Sequence, residues 1–98
     1  MMLQDRIARL CDLVPGMTRA TAMVFIALWD ARNRLASYDY LAERASGFSA
    51  HSMSDEALRT SVKHLRKMIS AANLPLRIEN CWSVGYRMVR LDPTWTWE

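Results

Sequence analysis

Residues 57–69 read ALRTSVKHLRKMI, and winding that stretch as a helix sorts it into two faces. At about 100° per residue, Leu58, Val62, Leu65 and Ile69 fall in one narrow apolar stripe, the spacing of a helix seated on a core. Arg59, Lys63 and Arg66 form a second stripe roughly a quarter-turn away, flanked by Thr60 and Lys67. No acidic residue interrupts residues 57–78. A buried seam beside an unneutralised basic stripe suits a helix that rests on its domain and faces phosphates and base edges. Taken alone, the segment also fits a solvated surface helix that happens to be rich in Lys and Arg.

The flanking residues set the limits of this helix. Ser54 is a natural N-cap, and Asp55 and Glu56 in the first turn suit the positive end of the helix dipole rather than acid–base chemistry. The helix is predicted to run to about Ala72, with Asn73 as its C-terminal cap and Pro75 preventing continuation. The period then changes. Leu76 and Ile78, followed by Val84, Tyr86, Met88 and Val89, predict two short strands with Asn80–Ser83 as the turn. Tyr86 is expected in the core and Arg87 on the opposite side.

Three more helices are predicted upstream. Leu3, Ile7, Leu10, Cys11 and Val14 recur at helical intervals over residues 3–14, which Pro15-Gly16 brings to a stop. Thr18 can cap a second helix reaching about Asn33, whose middle, Ala22–Trp29 (AMVFIALW), is apolar nearly all round and should be the central core element. Ser37 caps a third, YDYLAERAS, ended by Gly47 and followed by a polar connection, FSAHSM. The chain thus reads as mainly α with a C-terminal β-hairpin, the order of a winged helix-turn-helix. It divides into an N-terminal amphipathic helix (1–16), a winged-helix domain (17–91) and a Trp-rich tail (92–98) whose position the pattern does not give.

Composition narrows the function classes. Ninety-eight residues, 51% of them hydrophobic, allow one domain and one modest core. No apolar run approaches the roughly 18 residues of a membrane span, and the charges within MMLQDRIARL do not fit a secretory signal. Cys11 and Cys81 lie far apart with no CxxC or Cys/His spacing, so a reduced, cytoplasmic protein is expected. The chain has neither GxGxxG nor GxxxxGK[ST], and neither His51 nor His64 has a partner at metal-ligand spacing. No enzyme, cofactor or metal is expected. The net charge of +3 is compatible with nucleic acid, and its clustering carries more weight than its size.

With the hairpin in place, residues 17–91 resemble the OmpR/PhoB-type winged-helix output domain of bacterial response regulators. Met17-Thr18-Arg19-Ala20-Thr21 is similar to the family's LTPTE helix opening, and Ser37–Ala45 looks like its second helix, which opens with Ser. His64-Leu65-Arg66-Lys67-Met68-Ile69 is similar to the RLRRKL end of its recognition helix. Cys81-Trp82-Ser83-Val84-Gly85-Tyr86-Arg87-Met88 looks like its closing VRGVGYRL strand. VGYR following LRK at the family's spacing is the most specific item. The sequence departs from the pattern where a helix at residues 3–14 replaces an N-terminal antiparallel sheet, and where Trp82 and Ser83 stand for an Arg and a Gly on the wing. No receiver domain precedes residues 17–91 in this sequence, so phosphorylation control of the usual kind is not expected.

The resemblance implies that the helix of residues 54–72 enters the major groove of double-stranded DNA while the wing, about 76–89, touches the backbone or the neighbouring minor groove. Arg59, Lys63 and Arg66 are the expected principal DNA contacts, Lys67 a phosphate contact, and Thr60 either a base contact or a solvent-facing residue. Trp82 is expected either to touch nucleic acid or a partner, or to pack over the hairpin; Arg87 can reach a phosphate. The Gly47–Met53 connection corresponds to the loop by which some relatives contact RNA polymerase. A single module makes few base contacts, so a homodimer on paired half-sites is expected, with the edge of Leu3, Ile7 and Leu10 and the Trp-rich tail as its candidate surfaces. The competing expectation is a protein-interaction module that keeps the winged-helix scaffold and acts on RNA polymerase or another regulator without reading DNA.

Overall fold

Helices and strands follow one another along the chain in the order α1 (Leu3–Leu13), α2 (Arg19–Asp30), β1 (Ala36–Ser37), α3 (Tyr38–Ala45), α4 (Asp55–Ala71), β2 (Leu76–Cys81) and β3 (Gly85–Arg90). The computed structural model describes residues 2–46 and 53–98. Among the described residues, four helices and a three-stranded antiparallel sheet of order β1-β3-β2 make a winged helix-turn-helix.

The predicted caps form. Thr18 and Thr21 close a reciprocal capping box at the start of α2, with Thr21 N–H donating to the Thr18 hydroxyl and Thr18 N–H to that of Thr21. Ser37 and Ser54 accept from Tyr40 N–H and Ala57 N–H, each at 3.1 Å. Asn73 takes the left-handed conformation (φ 55°) that ends α4. The Asn73 and Leu74 amides reach back to the Ser70 and Ile69 carbonyls, a Schellman closure with Asn in the usual glycine position.

α2 packs against α1, α3, α4 and β3, and Thr21–Leu28 are buried without interruption, as expected for a helix apolar all round. It ends at Asp30, earlier than the pattern suggests, because Arg32 (φ 54°) and Asn33 (φ 67°) turn left-handed and break the helix. The Asn33 side-chain oxygen then accepts the Arg90 N–H at 3.2 Å, which fastens the turn to β3. The two-residue strand β1 pairs with β3 at Ala36↔Tyr86 and Ser37↔Gly85 and is too short to leave a period-2 signal in sequence. It also explains Gly85, since a Cβ there would stand 1.9 Å from the Ala36 carbonyl oxygen.

The three stretches separable in sequence share one core. Ile7 and Leu10 of α1 are buried against α2, and Leu3 is partly covered, so the apolar edge expected to receive a second copy is filled by the chain itself. The C-terminal tail is filled in as well: Trp97 is only 2% exposed and meets Phe25 and Trp29 edge-on at 5.8 and 5.9 Å, while Trp95 meets Trp29 at 5.8 Å. Polar contacts hold the tail down. Arg9 donates to the Trp97 carbonyl and Arg90 to the carbonyls of Pro93 and Trp95. Glu98 accepts from the Trp29 indole at 2.9 Å and pairs with Nε of Arg6, which also grips Asp30 through Nη1 and Nη2.

Candidate nucleic-acid interface

α4 is seated as its sequence implies. Leu58, Val62, Leu65 and Ile69 are buried, joined by Ser61, while Arg59, Thr60, Lys63, His64, Arg66 and Lys67 are exposed. The basic residues do not act as one group, however. Arg66 turns toward the hairpin and donates from Nε and Nη2 to the Ile78 carbonyl at 3.2 and 3.0 Å, with its guanidinium 6.0 Å from the Tyr86 ring centre. It therefore braces α4 against β2. Arg59, Lys63 and Lys67 form the free row at i, i+4 and i+8, and none makes a side-chain hydrogen bond or ion pair among the described residues. Like charges at this spacing destabilise a helix by about 0.2–0.5 kcal/mol per pair. The row is thus an arrangement that folding alone does not favour.

On the wing, by contrast, two of the arginines are ion-paired. Glu79 on β2 pairs with Arg77 at 3.0 Å and with Arg87, its cross-strand partner on β3. The Arg87 hydrogen bond is the main reason the Glu79 carboxyl is held below its ordinary pKa, and the same contact raises that of Arg87. Arg87 is exposed as expected, but its guanidinium is already engaged. The turn spans Trp82–Val84 rather than Asn80–Ser83, and this shift is what conceals the Glu79↔Arg87 pairing in the sequence. Ser83 adopts φ 62°, the conformation that favours glycine, and the Val84 amide closes the turn onto the Cys81 carbonyl at 3.0 Å.

Two side chains of the turn stand out toward solvent. Trp82 does not pack over the hairpin; it is 85% exposed. Val84 lies in the turn and faces outward rather than joining the core face of Tyr86 and Met88. With Leu35 and Tyr40 it lines an open groove of about 610 Å³ flanked by Arg32 and Arg34, a feature assembled from three separate segments and so without a local sequence signal. Of the connection between α3 and α4, Gly47–Ser52 lie outside the described residues; Met53 packs against the core.

Residues 16–88 match the family model described as transcriptional regulatory protein, C terminal, the OmpR/PhoB-type DNA-binding domain. The chain belongs to that family. Its members are DNA-binding domains of transcription regulators and not enzymes, which assigns this chain to transcription regulation with double-stranded DNA as its partner. No curated protein and no solved structure gives a significant match. The match begins after α1 and stops before the tail, so the helix and tryptophans that close the core at both ends lie beyond the shared pattern. Among the described residues no helix is long and apolar enough to cross a membrane.

Proposed function

We propose that the chain binds double-stranded DNA sequence-specifically, with α4 in the major groove and the β2–β3 hairpin on the backbone or the adjacent minor groove. The free row of Arg59, Lys63 and Lys67 opposite a buried seam carries this reading. Phosphate contacts supply affinity, and base edges met by Arg59, Thr60 and Lys63 supply specificity. Arg66 contributes chiefly by fixing the angle between helix and wing. One helix of this length reads few base pairs, which favours a homodimer on paired half-sites. Since the N-terminal helix and tail are occupied internally, DNA-dependent pairing fits better than a preformed apolar dimer. The working compartment is the cytoplasm, in keeping with Cys11 and Cys81 as free thiols.

A titration of duplex DNA against salt tests the reading. The log–log slope should steepen by about −0.9 for each phosphate neutralised, so a protomer using several cations binds with a steep salt dependence. Absence of binding at low salt up to about 100 μM protein removes the proposal.

A second reading, a protein-interaction module acting on RNA polymerase or another regulator, is favoured by one feature. The groove of Leu35, Tyr40 and Val84 presents apolar surface beside two arginines that have no ion-pair partner among the described residues.

A further inference from the structure

The tip of the wing offers solvent an aromatic ring instead of a charge. Trp82 is 85% exposed, whereas Trp29 and Trp95 are half-buried and Trp97 is in the core. The turn that carries it is fixed at several points. Val84 N–H bonds the Cys81 carbonyl, Ser83 is held left-handed, and the Val84 carbonyl accepts from Tyr38 N–H at 3.0 Å, which ties the tip to the start of α3. In the hairpin behind it the guanidinium groups of Arg77 and Arg87 are both engaged by Glu79, so neither is free at the tip. A large apolar ring held out on a braced turn is a surface awaiting a cover, and on the wing of a DNA-binding domain the nearest cover is the edge of stacked base pairs.

We infer that Trp82 is a wedge residue: the wing presses its indole from the minor groove into one base step, partly unstacks it, and so selects sequences whose flanking step opens easily. The inference rests on the DNA reading above and extends it to the means by which the wing discriminates. An uncharged indole releases no counterions, so its contribution is independent of salt, unlike that of α4. Pyrimidine–purine steps unstack at least cost, so TA or CA is the step expected beside the segment read by α4. Selection therefore comes from the deformability of the DNA at a position where no base edge is read.

The experiment uses the full chain and a duplex recovered from a randomised pool by the unsubstituted protein, with 2-aminopurine replacing adenine at the wing-side step. Binding should raise the 2-aminopurine fluorescence. Trp82→Ala should abolish the rise and weaken binding about tenfold, with melting curve and salt slope unchanged. Trp82→Phe should retain part of both effects. Trp82→Arg should steepen the slope by about 0.9 without restoring fluorescence. Unaltered affinity and fluorescence in Trp82→Ala overturn the inference and assign the indole to a protein-contacting face with Val84. Lost affinity with a duplex that is fluorescently silent from the outset also overturns it, since the ring then touches DNA without parting the bases. If the unsubstituted chain binds no duplex, the DNA reading itself fails; if it binds and Trp82→Ala behaves identically, the wedge alone fails.

Discussion

The outer face of α4 and the β2–β3 hairpin belong to one domain and treat positive charge in opposite ways. On α4, Arg59, Lys63 and Lys67 stand in a row with no carboxylate partner among the described residues; on the hairpin, one glutamate occupies both flanking arginines and the tip is an indole. Uncompensated charge on a helix raises the free energy of the fold slightly and is useful only when an anion arrives. Compensated charge on a hairpin does the reverse, strengthening strand pairing and weakening the pull on phosphates. A division follows in which the helix supplies salt-sensitive affinity and the wing contributes shape. Arg66 joins the two, because its bonds to the Ile78 carbonyl run from one to the other.

The division depends on a shared foundation, and breaking that foundation should give the largest effect. Leu65→Ala, at a fully buried position in the α4 seam, should lower stability by about 2–5 kcal/mol. Trp97→Ala should cost about 3–5 kcal/mol although it lies nine residues beyond the family match. Denaturant unfolding measures both losses, a large part of a small domain's stability. A Trp97→Ala protein that melts like its parent shows the tail to be an appendage, and with it the view that one core supports both helix and wing.

That the tail matters was not legible in the sequence, and the reason is physical. Helix-period patterns revealed α1, α2, α3 and α4 to within a few residues because their apolar faces repeat locally, and Ser37, Ser54 and Asn73 marked ends by their own backbone chemistry. Trp95 and Trp97 carry no such repeat; their burial depends on Phe25 and Trp29, which meet them only in the folded chain. The interface was readable in the same partial way. Helical geometry separated Arg59 and Lys63 from the seam, but it could not show that Arg66 would find a carbonyl twelve residues ahead. Nor could alternation alone reveal that moving the turn to Trp82–Val84 sets Glu79 opposite Arg87.

The next effect in size distinguishes cations that act on DNA from the one that acts on the fold. Arg59→Ala and Lys63→Ala should each leave the melting curve unchanged within about 0.5 kcal/mol, as expected for exposed side chains without partners. Each should flatten the salt slope by about 0.9 where a phosphate contact is lost, or cost about 1–3 kcal/mol of discrimination where a base edge is read. Arg66→Ala should also reduce stability, by roughly 0.5–1.5 kcal/mol, through loss of the bonds to Ile78. Equal behaviour of all three in both assays returns Arg66 to the DNA-reading row and removes the brace.

The smallest effect tests the ion pairing of the wing directly. Glu79→Gln keeps the shape of the hairpin but releases Arg77 and Arg87, so DNA affinity should rise severalfold and the salt slope should steepen by up to about 0.9 for each arginine that reaches a phosphate. The pH dependence follows from the lowered pKa of Glu79. A carboxyl depressed by its hydrogen bond to Arg87 contributes its full pairing above the ordinary value near 4.5 and loses it only as pH falls through the lower value of the folded state. Between about pH 6 and 8 the parent is therefore fully paired, and the difference between parent and Glu79→Gln should be constant. Only as pH falls through that lowered value should the two converge, as protonation of Glu79 does to the parent what the substitution does to the variant. Affinity that falls on substitution would mean that the ion pairs hold Trp82 and the turn in position for DNA, and that the wing's compensated charge serves recognition through geometry.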